Sequence, residues 1–310
     1  MQFLITGAAG FLGSALANRL IKEGHDVRGL DDLSAGNPDS LHPDVHFTRG
    51  DINDRPKLWT LLQEVDCVYH LAARVLVPES VLYPREYNLV NVGGTVTLME
   101  AMRDVGVGRV VFISSGTIYG NQENQPVTEV VQDRPTSPYA VSKLSAEYYI
   151  NTIGKLWGIE TVCLRVFNAY GPGQQMPPVH TPVVPNFIKQ TLTGGTIVVQ
   201  GDGNQTRDFV FLDDVVRSMI KASTAPNINQ QIINVGSGVE TSIRRVSELV
   251  SEITGKKADV IYNHTSDNGV KRMCADLKKS RELLGILPVT PLEIGIQLTL
   301  ERDPRFNFTP

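Results

Sequence analysis

Cysteine is scarce: three residues in 310, at positions 67, 163 and 274. They are odd in number, far apart and without CxxC spacing, which excludes a disulfide framework and a structural zinc site. The chain also has no apolar run near the roughly 18 residues needed to span a bilayer. Basic runs are missing too. Twenty-nine Lys and Arg are scattered among 33 Asp and Glu, for a net charge of −4. That argues against a cationic stripe for nucleic acid or a membrane surface. The opening MQFLITGAAG has no positively charged start before its apolar residues and does not read as a signal peptide. The six His residues offer no metal pair, and His70 reads as a hydrogen bonder at a strand end. These absences leave a reduced, cytoplasmic, globular protein with about two domains' worth of chain.

Short β-rich apolar runs alternate with longer amphipathic stretches. Residues 2–7, 25–31, 66–72, 109–115 and 159–167 read as buried strands, and 11–24, 87–106 and 137–158 as helices. Alternation of this kind predicts an α/β fold, with a parallel sheet covered on both faces. After residue 167 the pattern changes. NAYGPGQQMPPVHTPVVP holds five of the eighteen prolines, so it reads as a boundary and a loop over a cleft. FVFLDDVV (209–216) and QQIINVG (230–236) then read as strands returning to the first sheet. The expected organisation is interleaved: 1–167 plus about 209–236 in one domain, about 168–208 plus 237–310 in a smaller one.

The first strand runs into TGAAGFLG, with Gly7, Gly10 and Gly13 just before a helix. Glycines permit the tight turn and close approach of backbone to a pyrophosphate, and the helix start supplies free N–H groups. A strand–helix turn at this place points to a dinucleotide. The second strand ends in Asp31, with Asp32 beside it. A carboxylate there accepts from the adenosine ribose hydroxyls and repels a 2′-phosphate, so NAD is favoured over NADP. Asp51 and Ile52, after a third strand, are placed to meet the adenine.

SPYAVSK (137–143) puts Tyr139 and Lys143 on one helix face. Such pairs are common on exposed helices and alone mean little. A free phenol has pKa about 10, so holding it ionised at pH 7 costs about 4 kcal/mol. An ammonium and an oxidised nicotinamide close by supply charge of the right sign. Ser114 and Ser115 end the fourth apolar run, at the strand edge where open α/β sheets bind ligands. A hydroxyl at that edge can share a substrate proton with Tyr139.

TGAAGFLG, Asp31, SSGTIYG and Tyr139-x-x-x-Lys143 resemble the extended short-chain dehydrogenase/reductases that modify nucleotide sugars. HLAAR (70–74), NVGGT (91–95), LRVFNAYGPGQ (164–174), RDFVFLDDVV (207–216) and INVGSG (233–238) extend the likeness through nearly the whole chain. Within that family the chain looks most like the UDP-hexose 4-epimerases.

The resemblance implies a Rossmann-type doubly wound parallel sheet with a smaller α+β domain for the nucleotide sugar. It implies Tyr139 as base and then acid, Lys143 lowering its pKa, and Ser115 bridging to the sugar's 4-oxygen. The implied cofactor contacts add Phe11, Leu12, Leu71, Ala72, Ala73, Asn91 and Ser114 to Gly7, Gly10, Gly13, Asp31, Asp32, Asp51 and Ile52. On the substrate side it implies Ser115, Gly116, Thr117, Asn168, Val184, Phe187, Arg207 and Arg272, with Tyr170 and Pro185 nearby. Arg272 also reads as a simple surface ion pair. Sugar 4,6-dehydratases carry Asp-Glu at the positions of Gly116 and Thr117, and glucuronate decarboxylases a Glu at that of Thr117. This chain has neither carboxylate, which leaves epimerisation. UDP-glucose/galactose is the first expectation, UDP-glucuronate/galacturonate the second, and a 4-keto reductase or dehydrogenase with net redox turnover the third. Two positions depart from the pattern: Val75, where some epimerases have Lys, and Ser266, where others have Arg. Met273 falls beside the sugar's C2 substituent, and its bulk suits an unacetylated hexose. The resemblance also implies a homodimer through a four-helix bundle near 92–106 and 140–155. Leu144, Tyr148 and Ile150 are candidates for that interface or for the sheet-facing core.

Overall fold

The computed structural model describes residues 1–264 and 269–306. Seven parallel strands form the main sheet: β1 (Gln2–Thr6), β2 (Asp26–Asp31), β3 (His46–Arg49), β4 (Cys67–His70), β5 (Arg109–Ser115), β6 (Glu160–Val166) and β10 (Gln231–Val235). Their order is β10-β6-β5-β4-β1-β2-β3, so the chain runs outward from β1 in both directions and leaves a crevice at its carboxyl edge. Helices α1 (Phe11–Lys22) and α8 (Leu212–Thr224) cover one face. The other face carries α2 (Arg55–Leu61), α5 (Gly94–Val105) and α6 (Pro138–Trp157). Two short helices, α3 (Val77–Leu82) and α4 (Pro84–Tyr87), lead into a wide helical turn at Asn88–Gly93 before α5.

A smaller layer holds β7 (Asn168–Tyr170), β9 (Thr206–Phe211) and β11 (Glu240–Ser242) in one sheet, and β8 (Thr196–Gln200) paired with β12 (Asp259–Asn263) in another. Helices α7 (Val183–Thr193), α9 (Ile243–Thr254) and α11 (Leu292–Arg302) pack there around Tyr170, Ile188 and Phe211, while α10 (Lys278–Leu284) lies against the main sheet. No helix of the described residues is long and apolar enough to cross a membrane.

One strand assignment needs correcting. Residues 209–216 do not return to the main sheet. Phe209–Phe211 belong to β9, between β11 and β7, and the chain turns helical at Leu212. Asp213 and Asp214 lie in the first turn of α8, where carboxylates favour a helix start. From there Val215, Val216, Met219 and Ala222 repeat at helical spacing and fill the main core. The expected return of 230–236 is real, as β10.

Candidate active site

At the exit of β1, Gly7 adopts φ +72°, and a Cβ there would lie 2.7 Å from the backbone nitrogen of Ala72. A Cβ on Gly13 would lie 2.0 Å from the Gly7 carbonyl oxygen. Both glycines are therefore required by the backbone crossing itself, between β1, α1 and the exit of β4. Gly10 caps α1 with no side-chain acceptor, and no acid occupies the first turn. The leading N–H groups, at Phe11, Leu12 and Gly13, are free for an anion by the geometry of any helix end. Leu71, Ala72 and Ala73 are partly buried along the same turn.

Asp31 is buried. It accepts from the Ala9 N–H at 3.0 Å and the Leu33 N–H at 2.8 Å, which aims the carboxylate at the glycine turn. Burial pushes its pKa up and these two hydrogen bonds oppose the shift. Two of roughly four acceptor positions are used, leaving capacity for a ribose diol. Asp32 is exposed and accepts from Ser34, and Asp51 accepts from Asn53; both are turn-forming at present. Ile52 is buried against Gly94. Together these groups fit NAD: a cradle too tight for any Cβ, uncapped N–H groups, and a fixed carboxylate at the ribose end.

Ser137 and Pro138 set the reactive pair. The Ser137 hydroxyl caps α6 by accepting from Ala140 N–H at 3.2 Å, and Pro138 fills the first helical position. Tyr139 and Lys143 then fall one turn apart, and both are buried. Burial raises the Tyr139 pKa, and a hydrogen bond with Ser115 pulls it back. Its ring meets Tyr87 edge-on at 6.4 Å. Lys143 Nζ lies 4.3 Å from the centroid of the Phe112 ring. Burial lowers its pKa to about 8, against the raising effect of Glu147. Ser115, at the end of β5, accepts from Thr117 N–H at 3.2 Å and lies 2.9 Å from its hydroxyl. The hydroxyl of Ser114 is buried without a partner among the described residues. A Cβ on Gly116 would come 3.1 Å from the Phe167 ring, so glycine lets that ring close on the turn. His70 sits between Thr6 (2.7 Å) and Thr95 (2.9 Å), its pKa lowered to about 3 by burial and the Lys143 charge. It is a neutral strand-end hydrogen bonder, as read from the sequence.

Several expected contacts are placed differently. Asn91 is fully buried, and its amide is spent inside the protein. It accepts from Arg74 N–H at 2.8 Å and donates to Arg74 O at 3.0 Å and Ser142 Oγ at 2.9 Å. It ties the β4 exit to α6. The side chains of Val184 and Phe187 are 1% and 3% exposed and belong to the core of the smaller layer, with Pro185 buried beside them and Tyr170 in that same core. Asn168 is exposed at the start of β7. Arg207 is half-buried, and burial lowers its pKa; its guanidinium donates to the Thr206 carbonyl at 2.7 Å. No ion pair holds it among the described residues. Arg272 is instead bidentate to Glu240, at 2.7 Å on each oxygen, which is the ion-pair alternative. Val75 is exposed, and Ser266 lies outside the described residues.

The sequence reading missed a buried charge cluster. Arg165 on β6 is bonded to Glu147 (2.7 Å) and Asp133 (2.8 Å) and stacks over Tyr119 at 4.7 Å. A signal existed: Glu147 continues the Tyr139–Lys143 stripe by one more turn, and Arg165 interrupts an apolar strand.

Residues 3–236 match the family model described as the NAD dependent epimerase/dehydratase family. The chain belongs to that family. Across 97% of the chain it is 39% identical to a UDP-glucose 4-epimerase of Mycolicibacterium smegmatis, covering 98% of that protein. The crystal structure of a Thermotoga maritima UDP-glucose 4-epimerase with UDP-glucose superposes with a TM-score of 0.93, at 33% identity, over 97% of this chain and 98% of that one. A UDP-glucuronic acid 4-epimerase from Bacillus cereus, solved with UDP-glucuronic acid and NAD, gives 0.90 at 33% identity, with coverage of 97% and 98%. The family is NAD-dependent, and the doubly wound sheet is the fold these relatives share.

Proposed function

We propose that the protein is a UDP-sugar 4-epimerase that interconverts UDP-glucose and UDP-galactose. The observation that carries this is the buried Tyr139, with Ser115 beside it at the exit of β5, Lys143 one turn away and no carboxylate at 116 or 117. NAD, held by the glycine turn and Asp31, would supply the hydride acceptor and donor for C4. Tyr139 removes the 4-hydroxyl proton and restores it; Ser115 holds the same oxygen. Lys143 supplies the positive charge that offsets the cost of the phenolate. Asn168, Arg207 and, once released from Glu240, Arg272 face the nucleotide diphosphate. Gly116 and Thr117 carry no general acid, so nothing eliminates the 6-hydroxyl. We assign residues 1–167 and the returning segment to NAD and the remainder to the sugar nucleotide, with both working in the cytoplasm.

UDP-galactose supplied without added cofactor should yield UDP-glucose by NMR. Product formed only with stoichiometric NADPH, or with accumulating NADH, overturns the reading. A UDP-glucuronate arm of the same assay decides the C6 substituent.

The rate should depend on pH through Lys143. A lysine with a lowered pKa is charged below that value and neutral above it. The supporting charge is therefore lost as pH rises through about 8. We expect kcat/KM to decline above pH 8. In Lys143→Arg, which stays charged, that decline should move up by more than one pH unit.

We also propose a homodimer. Val141 (49% exposed), Tyr148 (62%) and Leu156 (74%) form a stripe along α6, near Leu89 (51%), while Ile150 is fully buried core and Leu144 is intermediate. The three sequence candidates thus separate: Tyr148 faces out, Ile150 faces in and Leu144 lies between. Tyr148→Asp should convert a dimer to a monomer in sedimentation velocity; an unchanged sedimentation coefficient removes this face from the interface.

A further inference from the structure

Met273 is buried in a small cluster with Tyr119, Val127, Phe167 and Ala275. Phe167 is the ring that closes on Gly116, so this cluster backs the turn that carries Ser115. The strap that bears Met273, residues 271–276, lies outside the strands, yet its backbone is tied at several points. Lys271 N–H donates to the Asn121 side chain at 2.9 Å, and Lys271 O accepts from Thr206 N–H at 2.9 Å. Val127 N–H donates to Cys274 O at 2.8 Å, and Asp276 N–H to Val127 O at 2.9 Å. From behind, the buried Asp208 accepts from Ala275 N–H at 3.0 Å, and the buried Asn234 donates to Val127 O at 3.0 Å.

Gln125 completes this lattice at the residue that matters. Its side-chain oxygen accepts from Cys274 N–H at 2.8 Å, and its nitrogen donates to Arg272 O at 3.3 Å. The amide therefore stands in for a strand's backbone, clipping the two peptides that flank Met273. A peptide pair held at both ends cannot rotate, so the direction of the intervening side chain is fixed.

We propose that Gln125 is a positioning residue for sugar selectivity, holding Met273 against the C2 side of the hexose. It touches neither substrate nor cofactor and acts through Met273. Gln125 is only half-buried, so its loss leaves the core intact. The inference rests on the epimerase reading above.

The test compares UDP-glucose with UDP-N-acetylglucosamine in the wild-type chain, Gln125→Ala, Met273→Ala and the double variant. With the clip removed, Met273 can swing aside. The kcat/KM ratio of acetylated to unacetylated sugar should then rise at least about fivefold in Gln125→Ala, with NAD content and Tm close to wild type. In the Met273→Ala background Gln125→Ala should add little, because the two act on one contact. Hydrogen exchange at the Cys274 amide should accelerate in Gln125→Ala. A selectivity ratio within twofold of wild type, or effects that multiply fully in the double variant, overturns the proposal while leaving the epimerase reading standing. A wild-type chain that epimerises no UDP-sugar overturns both.

Discussion

Tyr139→Phe should retain bound NAD and a near-normal KM while kcat falls about a thousandfold, within the range for losing a general acid–base. That loss corresponds to about 4 kcal/mol of barrier. The substitution suits the question because it changes so little else. The ring keeps its volume and its edge-on contact with Tyr87. What disappears is the hydroxyl that faces Ser115. Ser115→Ala should cost less, since Thr117 lies within hydrogen-bond range of the same position. NAD content by absorbance and single-turnover reduction of the cofactor separate binding from chemistry. An unchanged kcat would remove Tyr139 from the reaction.

The second large effect is on stability. In Arg165→Met the carboxylate of Glu147, 1% exposed, loses its cation. Breaking a buried pair from one side costs about 3–5 kcal/mol, and Tm should fall on the order of 10 °C. Arg165 is held in its charged form: burial works against the guanidinium, and Glu147 and Tyr119 outweigh it. Adding Glu147→Leu to Arg165→Met removes the stranded charge and should restore more than half of the lost stability. Asp133 tolerates the change because it is partly exposed. A double variant no more stable than Arg165→Met would show that packing, not charge, sets the cost. The cluster also reaches the chemistry. Glu147 favours the Lys143 ammonium, so Glu147→Gln should move the alkaline decline in kcat/KM below pH 8.

The parts of this site that were legible in the sequence are those fixed within a few residues. The glycine turn shows as a local spacing, with Gly13 closing on the Gly7 carbonyl, and Ser137-Pro138 sets the helix phase that aligns Tyr139 with Lys143. Where the structure adds to or corrects the sequence reading, the deciding partner is remote. FVFLDDVV opens with an apolar run that suits a strand, yet two carboxylates at its centre start a helix. Asn91 looks like a ligand donor until the wide turn at Asn88–Gly93 aims its amide at Arg74 and Ser142. Val184 and Phe187 read as pocket-lining residues from the sequence, and helical phase turns their side chains into the core. Arg165 finds Asp133 and Glu147 only because β6 lies beneath α6, and Gln125 meets residues almost 150 positions away. No local pattern encodes such pairings.

The order of strands in the main sheet bears on how the chain is made. β6 is complete at residue 166, but β10, which covers its outer edge, does not begin until residue 231. A ribosome-bound chain that has emerged only to the proline-rich loop therefore presents β6 with a bare row of N–H and C=O groups. Such an edge recruits other strands. The nascent protein passes through a window in which the edge of its main sheet is open to neighbours, and the residues that close it come from beyond the whole of α8. Chains stalled within that window should be the ones that engage chaperones.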